Sequence, residues 1–118
     1  MSKNLGVMEA VTVFTSETIA ASGTATSDAI DILYDRNPNG DMSLEFVVTG
    51  SGTFTVVWQG GHNNGNFTDD VTVATGLTAG THFLSIINPT LAAGGKVKVT
   101  ETGGANSITI TSMTFLFR

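Results

Sequence analysis

The segment Asp35-Arg36-Asn37-Pro38-Asn39-Gly40 places oxygen donors at alternate positions ahead of a glycine, the opening of an EF-hand calcium loop. Calcium takes six to eight oxygens, and such a loop supplies them at alternate residues before a bidentate Glu at position twelve. Counted from Asp35, that position is Phe46, an apolar residue within an alternating run, and Glu45 falls one place early on the opposite parity. Asp35, Asn37, Asn39 and Asp41 thus make an incomplete calcium set. The same residues make a tight turn, because Pro38 cannot donate to a ladder and Asn39-Gly40 adopts positive φ at little cost. A turn without metal is the expectation.

A second concentration of polar chemistry lies in Gly60 to Asp70 (GGHNNGNFTDD), with His62, Asn63, Asn64, Asn66, Asp69 and Asp70. An imidazole beside two carboxylates is the raw material of a metal site or a general-base pair. Catalytic groups need rigid support, whereas Gly and Asn dominate here as they do at loop tips. These six residues are therefore expected to form a partner-binding loop on a rigid scaffold. His82 sits inside an apolar run and is expected to be a core or interface histidine. Asn66-Phe67-Thr68 matches a glycosylation sequon, read as coincidence because no secretion signal accompanies it. No G-x-S-x-G elbow is present, and no His/Asp order suggests a triad. The pairs Gly60-Gly61, Gly94-Gly95 and Gly103-Gly104 lead into loops or strands, not into a helix whose N-terminus would hold phosphate. Neither enzymatic activity nor a cofactor is expected.

The elements that would position these residues are strands. From Met42 to Val48 the apolar residues Met42, Leu44, Phe46 and Val48 share one parity, and Phe54, Val56 and Trp58 resume it beyond Gly50-Ser51-Gly52. Period-2 alternation of this kind marks half-buried strands, and the short Gly-containing connection predicts a hairpin. Trp58 and Tyr34 both fall on inward parity. Further strands are expected at Val11–Ile19, Ser27–Tyr34, Val71–Ala74, Thr81–Ile87, Lys96–Glu101 and Ser107–Phe117. Thr81–Ile87 is apolar on both parities, which suits a central strand or an interface. In the last strand the apolar parity switches from Ile108 and Ile110 to Met113, Phe115 and Phe117, so a β-bulge or sheet crossing is required near Thr111-Ser112. The result is one all-β domain over 11–118, an eight-stranded antiparallel β-sandwich. Jelly roll is the expected topology, an immunoglobulin-like sandwich the alternative, and residues 1–10 form an extended N-terminal arm.

Composition narrows the function classes. The 118 residues contain no cysteine, so neither disulfides nor thiolate metal sites are available. Only 13% are charged, about half the usual quarter, which leaves Thr, Ser, Asn and Gly to cover the surface. The net charge of −5, with five scattered basic residues, offers no basic patch for nucleic acid. No apolar run reaches a membrane span, and a soluble protein made in the cytoplasm is the default.

Three segments, Ala21–Ile32 (ASGTATSDAIDI), Gly50–Gln59 (GSGTFTVVWQ) and Val97–Met113 (VKVTETGGANSITITSM), resemble small all-β virion structural proteins of tailed bacteriophages, the capsid decoration or cement proteins. The resemblance implies a homo-oligomer, commonly a trimer, that binds the major capsid protein on the virion surface and stabilises the shell. It brings no catalytic signature. Phe83, Leu84, Ile86, Phe115, Leu116 and Phe117 are the expected subunit interface, since their segments are apolar on more faces than one core requires. Two alternatives share this sequence physics: a carbohydrate-binding β-sandwich module and a minor phage tail or baseplate protein.

Overall fold

The computed structural model describes residues 9–31, 42–61, 67–86 and 94–117, and over these the chain is all β. Nine strands follow in order: β1 Glu9–Ile19, β2 Thr24–Thr26, β3 Ile30–Asp31, β4 Met42–Gly50, β5 Phe54–Gly61, β6 Phe67–Leu77, β7 Gly80–Ile86, β8 Gly94–Glu101 and β9 Ile108–Phe117. They form two antiparallel sheets. The first has the order β1-β9-β4-β7; the second has the order β2-β8-β5-β6, with β3 also paired to β8. Taken with β3 as one interrupted strand, β2 completes a double four-stranded sandwich in jelly-roll order.

Several elements differ from the sequence expectation. Met42 to Trp58 is not a hairpin: β4 pairs with β7 and β9 in one sheet, and β5 with β6 and β8 in the other. The two alternating rows do face inward, but they meet across the core. Gly50 (φ 108°) makes the crossing, where a Cβ would come 2.7 Å from the Ser107 carbonyl oxygen. Of the second expected strand, Ser27–Tyr34, only Ile30–Asp31 is strand among the described residues, as β3, while β2 forms ahead of it at Thr24–Thr26. Between them Ser27 breaks the run: its N–H donates to the Val97 carbonyl, and its hydroxyl oxygen accepts the Val97 N–H, both at 2.9 Å. Gly60 and Gly61 belong to β5, and Phe67 to Asp70 to β6, so strand takes over most of the expected Gly60–Asp70 loop. β7 is an edge strand, not a central one. β1 already includes Glu9 and Ala10.

The parity switch in β9 is a bulge. Val47 pairs with Ser112 and Val48 with Ile110, which leaves Thr111 extra on that side. Ile108, Ile110, Met113 and Phe115 can then all be buried on a single strand, while Thr111 and Ser112 stay exposed. Across from them, Trp58 of the second sheet stacks on Phe115 of the first, with centroids 5.1 Å apart and planes 12° apart. Such a pair contributes about 0.5–1.5 kcal/mol beyond its area burial. Gly95, on the neighbouring strand, makes the necessary room, since a Cβ there would lie 2.5 Å from Trp58 Cζ2.

At one end of the sandwich the loops converge on Glu101, which is 1% exposed. Its Oε1 accepts the N–H groups of Ser22 and Gly104, each at 2.9 Å. Its Oε2 accepts those of Thr53 at 3.0 Å and Gly103 at 2.8 Å. Four backbone donors, that of Ser22 foremost and then those of Gly104, Gly103 and Thr53, outweigh burial and lower the carboxyl pKa from 4.5 to about 2. Because the folded-state pKa is depressed, the ionised carboxylate stabilises the fold fully above pH 4.5, and this contribution is lost as pH falls toward about 2.

Two outcomes are expected. Glu101→Gln should melt several degrees below wild type at neutral pH, and the gap should close as pH falls from 4.5 to about 2; a gap constant across that window in calorimetry would refute the assignment. Gly95→Ala should destabilise by about 1–3 kcal/mol through overpacking, with a changed near-UV signal from Trp58.

Candidate functional site

Most polar residues singled out in the sequence lie beyond what the structure describes. Asp35, Asn37, Asn39 and Asp41 lie outside the described residues, as do His62, Asn63, Asn64, Asn66 and Tyr34. Asp69 pairs with Gly60 in the β5–β6 ladder, but its side chain is outside the description. Asp70 is described, exposed and paired with Gln59 in that ladder. The described strand ends bordering these stretches meet at one end of the sandwich: Asp31 and Gly61 both pair with Gly94, and Met42 pairs with Ile86.

Among the described residues no three His, Asp or Glu side chains gather as metal ligands. The buried carboxylate of Glu101 is occupied by its four N–H donors. His82 closes an open edge of the core. Its ring lies tilted by 30° against Phe46 at 5.1 Å and meets Phe54 edge-on at 5.9 Å, while Nε2 lies 2.7 Å from the Thr78 carbonyl oxygen and donates to it. It is a core-edge histidine, in keeping with its apolar setting in the sequence. What remains for chemistry is the outer face of each sheet.

The outer face of the first sheet is nearly uncharged. Its rows run Ala10–Leu116–Ser43–Ser85, then Thr12–Thr114–Glu45–Phe83, then Thr15–Ser112–Val47–Thr81, across β1, β9, β4 and β7. Glu45 is the one charged residue among them. Phe83 is 66% exposed and stands on the open edge strand. Of the six residues expected at a subunit interface, only Phe83 and Leu116 are seen on this outer face. Ile86 and Phe115 are buried in the core, and Leu84 packs half-buried against it from the inner side. The correction follows from β7 having one inward row (His82, Leu84, Ile86) and β9 a bulged one; both are needed to fill this core. Phe117 pairs with Met42 and Glu9, and its side chain is outside the description.

The second sheet presents a different outer face. Lys96 (β8), Gln59 (β5) and Asp70 (β6) form one cross-strand row, and Lys98, Val57 and Thr72 form the next. Gln59 Nε2 donates to Asp70 Oδ1 at 3.0 Å, and Lys98 Nζ lies 3.8 Å from Asp70 Oδ2. On the other side of that row, Gly94 and Gly61 add no side chains beside Phe67. Lys96 Nζ reaches over the Phe67 ring, 5.9 Å from its centroid. Threonine hydroxyls extend the face, with Thr24 and Thr100 Oγ1 atoms 3.1 Å apart and those of Thr53 and Thr102 3.4 Å apart. The alternation in Lys96–Glu101 (KVKVTE) already places both lysines on one side; their partners on β5 and β6 cannot be read without the pairing.

No family model matches the sequence, and no curated protein matches it by sequence. Solved structures do match in shape. A family 29 carbohydrate-binding module from Piromyces equi superposes with a TM-score of 0.59 at 9% identity, over 94% of this chain and 91% of that one. The VP2 subviral particle of infectious bursal disease virus gives 0.57 at 12% identity over 92% of this chain, which spans only 31% of the viral protein. The carbohydrate-binding module of endoglucanase Cel5A from Eubacterium cellulosolvens gives 0.50 at 8% identity, over 91% and 97% of the two chains. The chain thus has a jelly-roll sandwich fold shared with carbohydrate-binding modules and viral capsid proteins.

Proposed function

We propose that this chain is a non-enzymatic virion structural protein, a capsid decoration protein that trimerises and binds the major capsid protein on the shell surface. The observation that carries the proposal is Phe83, an aromatic side chain 66% exposed on an edge strand of a nearly uncharged face. Burying such a ring across an interface contributes on the order of 2 kcal/mol. An open edge strand with few charges invites pairing with another chain, and the described outer face of the first sheet has no lysine to discourage it. In a closed cyclic trimer, the patch around Phe83 meets a different patch on the next copy, so every copy is satisfied. Viral capsid proteins share the fold, and the resemblance of Ala21–Ile32, Gly50–Gln59 and Val97–Met113 to phage virion proteins supports the same placement. Bound across joints between shell subunits, the trimer would raise the free energy needed to separate them, as any ligand of the assembled state does.

In light scattering the wild-type chain should have the mass of three copies. Phe83→Lys should be monomeric with an unchanged far-UV spectrum, because exposed substitutions shift stability by only about 0.5 kcal/mol. A wild-type monomer at high concentration, or a variant that stays trimeric, would overturn the assignment of this face. Attachment is tested separately: removal of residues 1–8, the part of the expected arm that lies outside the described residues, should weaken co-sedimentation with capsid shells while the trimer persists.

A further inference from the structure

We propose that the outer face of the second sheet, opposite the face assigned to assembly, binds a carboxylated glycan, a polysaccharide containing uronic acid. The argument begins with charge. The chain carries a net charge of −5, yet both lysines among its described residues, Lys96 and Lys98, project from this one face. They are not used alike. Lys98 faces Asp70, in the one ion pair among the described side chains, whereas Lys96 lies over the Phe67 ring. An ammonium held 5.9 Å from the centroid of an aromatic ring is placed to receive an anionic group attached to an apolar body.

The rest of the face defines that body. Gln59 and Asp70 are already joined by a hydrogen bond and stand in the same row as Lys96. An amide and a carboxylate side by side offer donors and acceptors to neighbouring hydroxyl groups. Thr72 flanks them, and Thr24 and Thr100 continue the hydroxyl surface toward β2. From β8 across β5 to β6 the platform is about 10 Å wide, the scale of one or two pyranose rings. A hexuronate fits these groups together. Its C–H face would lie on Phe67, its carboxylate would meet Lys96, and its ring hydroxyls would meet Gln59 and Asp70.

Other polyanions fit less well. Two lysines, one of them paired, are too few to neutralise a nucleic acid backbone. An acidic peptide would be held most simply by adding a strand to a sheet edge. Here the platform centres on β5 and β8, whose ladders are filled on both sides, so only side chains remain to recognise a ligand. Recognition by hydroxyl-, amide- and ring-bearing side chains favours a sugar.

The test is calorimetric titration of the full chain with hexagalacturonate, with neutral cellohexaose and with a glutamate hexapeptide, at low and high salt. Binding is expected for the uronate alone and should weaken with salt. Lys96→Ala should reduce affinity roughly tenfold or more, the worth of one charge-assisted hydrogen bond, and Lys96→Arg should restore part of it. Phe67→Ala should also reduce affinity; its near-UV spectrum, dominated by Trp58, reports whether the fold survives. Phe83→Lys should bind as wild type, which separates this site from the assembly face. No binding of hexagalacturonate, equal binding of the neutral oligomer or the peptide, or undiminished binding by Lys96→Ala would each overturn the proposal.

Discussion

The carboxylate of Glu101 is the contact on which the topology depends most directly. Its four N–H donors come from Ser22, Thr53, Gly103 and Gly104. These residues lie in three of the loops that carry the chain between the sheets, from β1 to β2, from β4 to β5 and from β8 to β9. One charged group thus holds three crossings at the same end of the sandwich. The geometry allows nothing bulkier: a Cβ on Gly52 or Gly103 would come 2.8 Å from Glu101 Oε2. Ser22 reaches its oxygen by adopting a φ of 61°, a conformation uncommon for a residue other than glycine. Charge-assisted hydrogen bonds to an ion are among the stronger ones, and here they replace the water that loop N–H groups would otherwise seek. A fourth crossing, from β6 to β7, is secured at that end by His82 through the Thr78 carbonyl.

With the crossings held, the two sheets are free to present unlike surfaces. The first sheet is covered by Thr, Ser and Ala with Phe83 at its edge, and little there resists contact with another protein. The second gathers both described lysines, an amide, a carboxylate and an aromatic ring. A sandwich separates such functions well because its faces point in opposite directions and share only the core. The Trp58–Phe115 stack spans that core and couples the rigidity of one face to the other.

Much of the fold is legible in the residues. Alternation locates nearly all the buried rows, from Met42, Leu44, Phe46 and Val48 to Phe54, Val56 and Trp58. The shift of parity at Thr111-Ser112 calls for a bulge or a sheet crossing, and of the two β9 contains the bulge. Far less of the candidate surfaces can be read this way. The Gly60–Asp70 segment has the composition of an irregular loop because it has few apolar residues. Yet Phe67 to Asp70 are strand, held by pairing with Gln59, Gly60 and Gly61 rather than by their own propensity. The apolar residues of β7 and β9 resemble a surplus available for an interface. Ile86 and Phe115 are in fact consumed by the core, because the bulge lets β9 contribute to it from Ile108 to Phe115.

What the sequence alone determined was the inward side of the strands that alternate cleanly, many of the places where the chain must turn, and a surface poor in charge. Those features follow from the two-residue period of a strand and from local backbone sterics, which act between neighbours in the chain. The tertiary structure decided which strands lie side by side. It sent β4 and β5 to different sheets, set β7 at an edge and brought Lys96, Gln59 and Asp70 into one row. Period-2 alternation is the same for a strand paired with its sequence neighbour and for one packed across the core from it. Only the long-range contacts, among them those made by Glu101, distinguish the two.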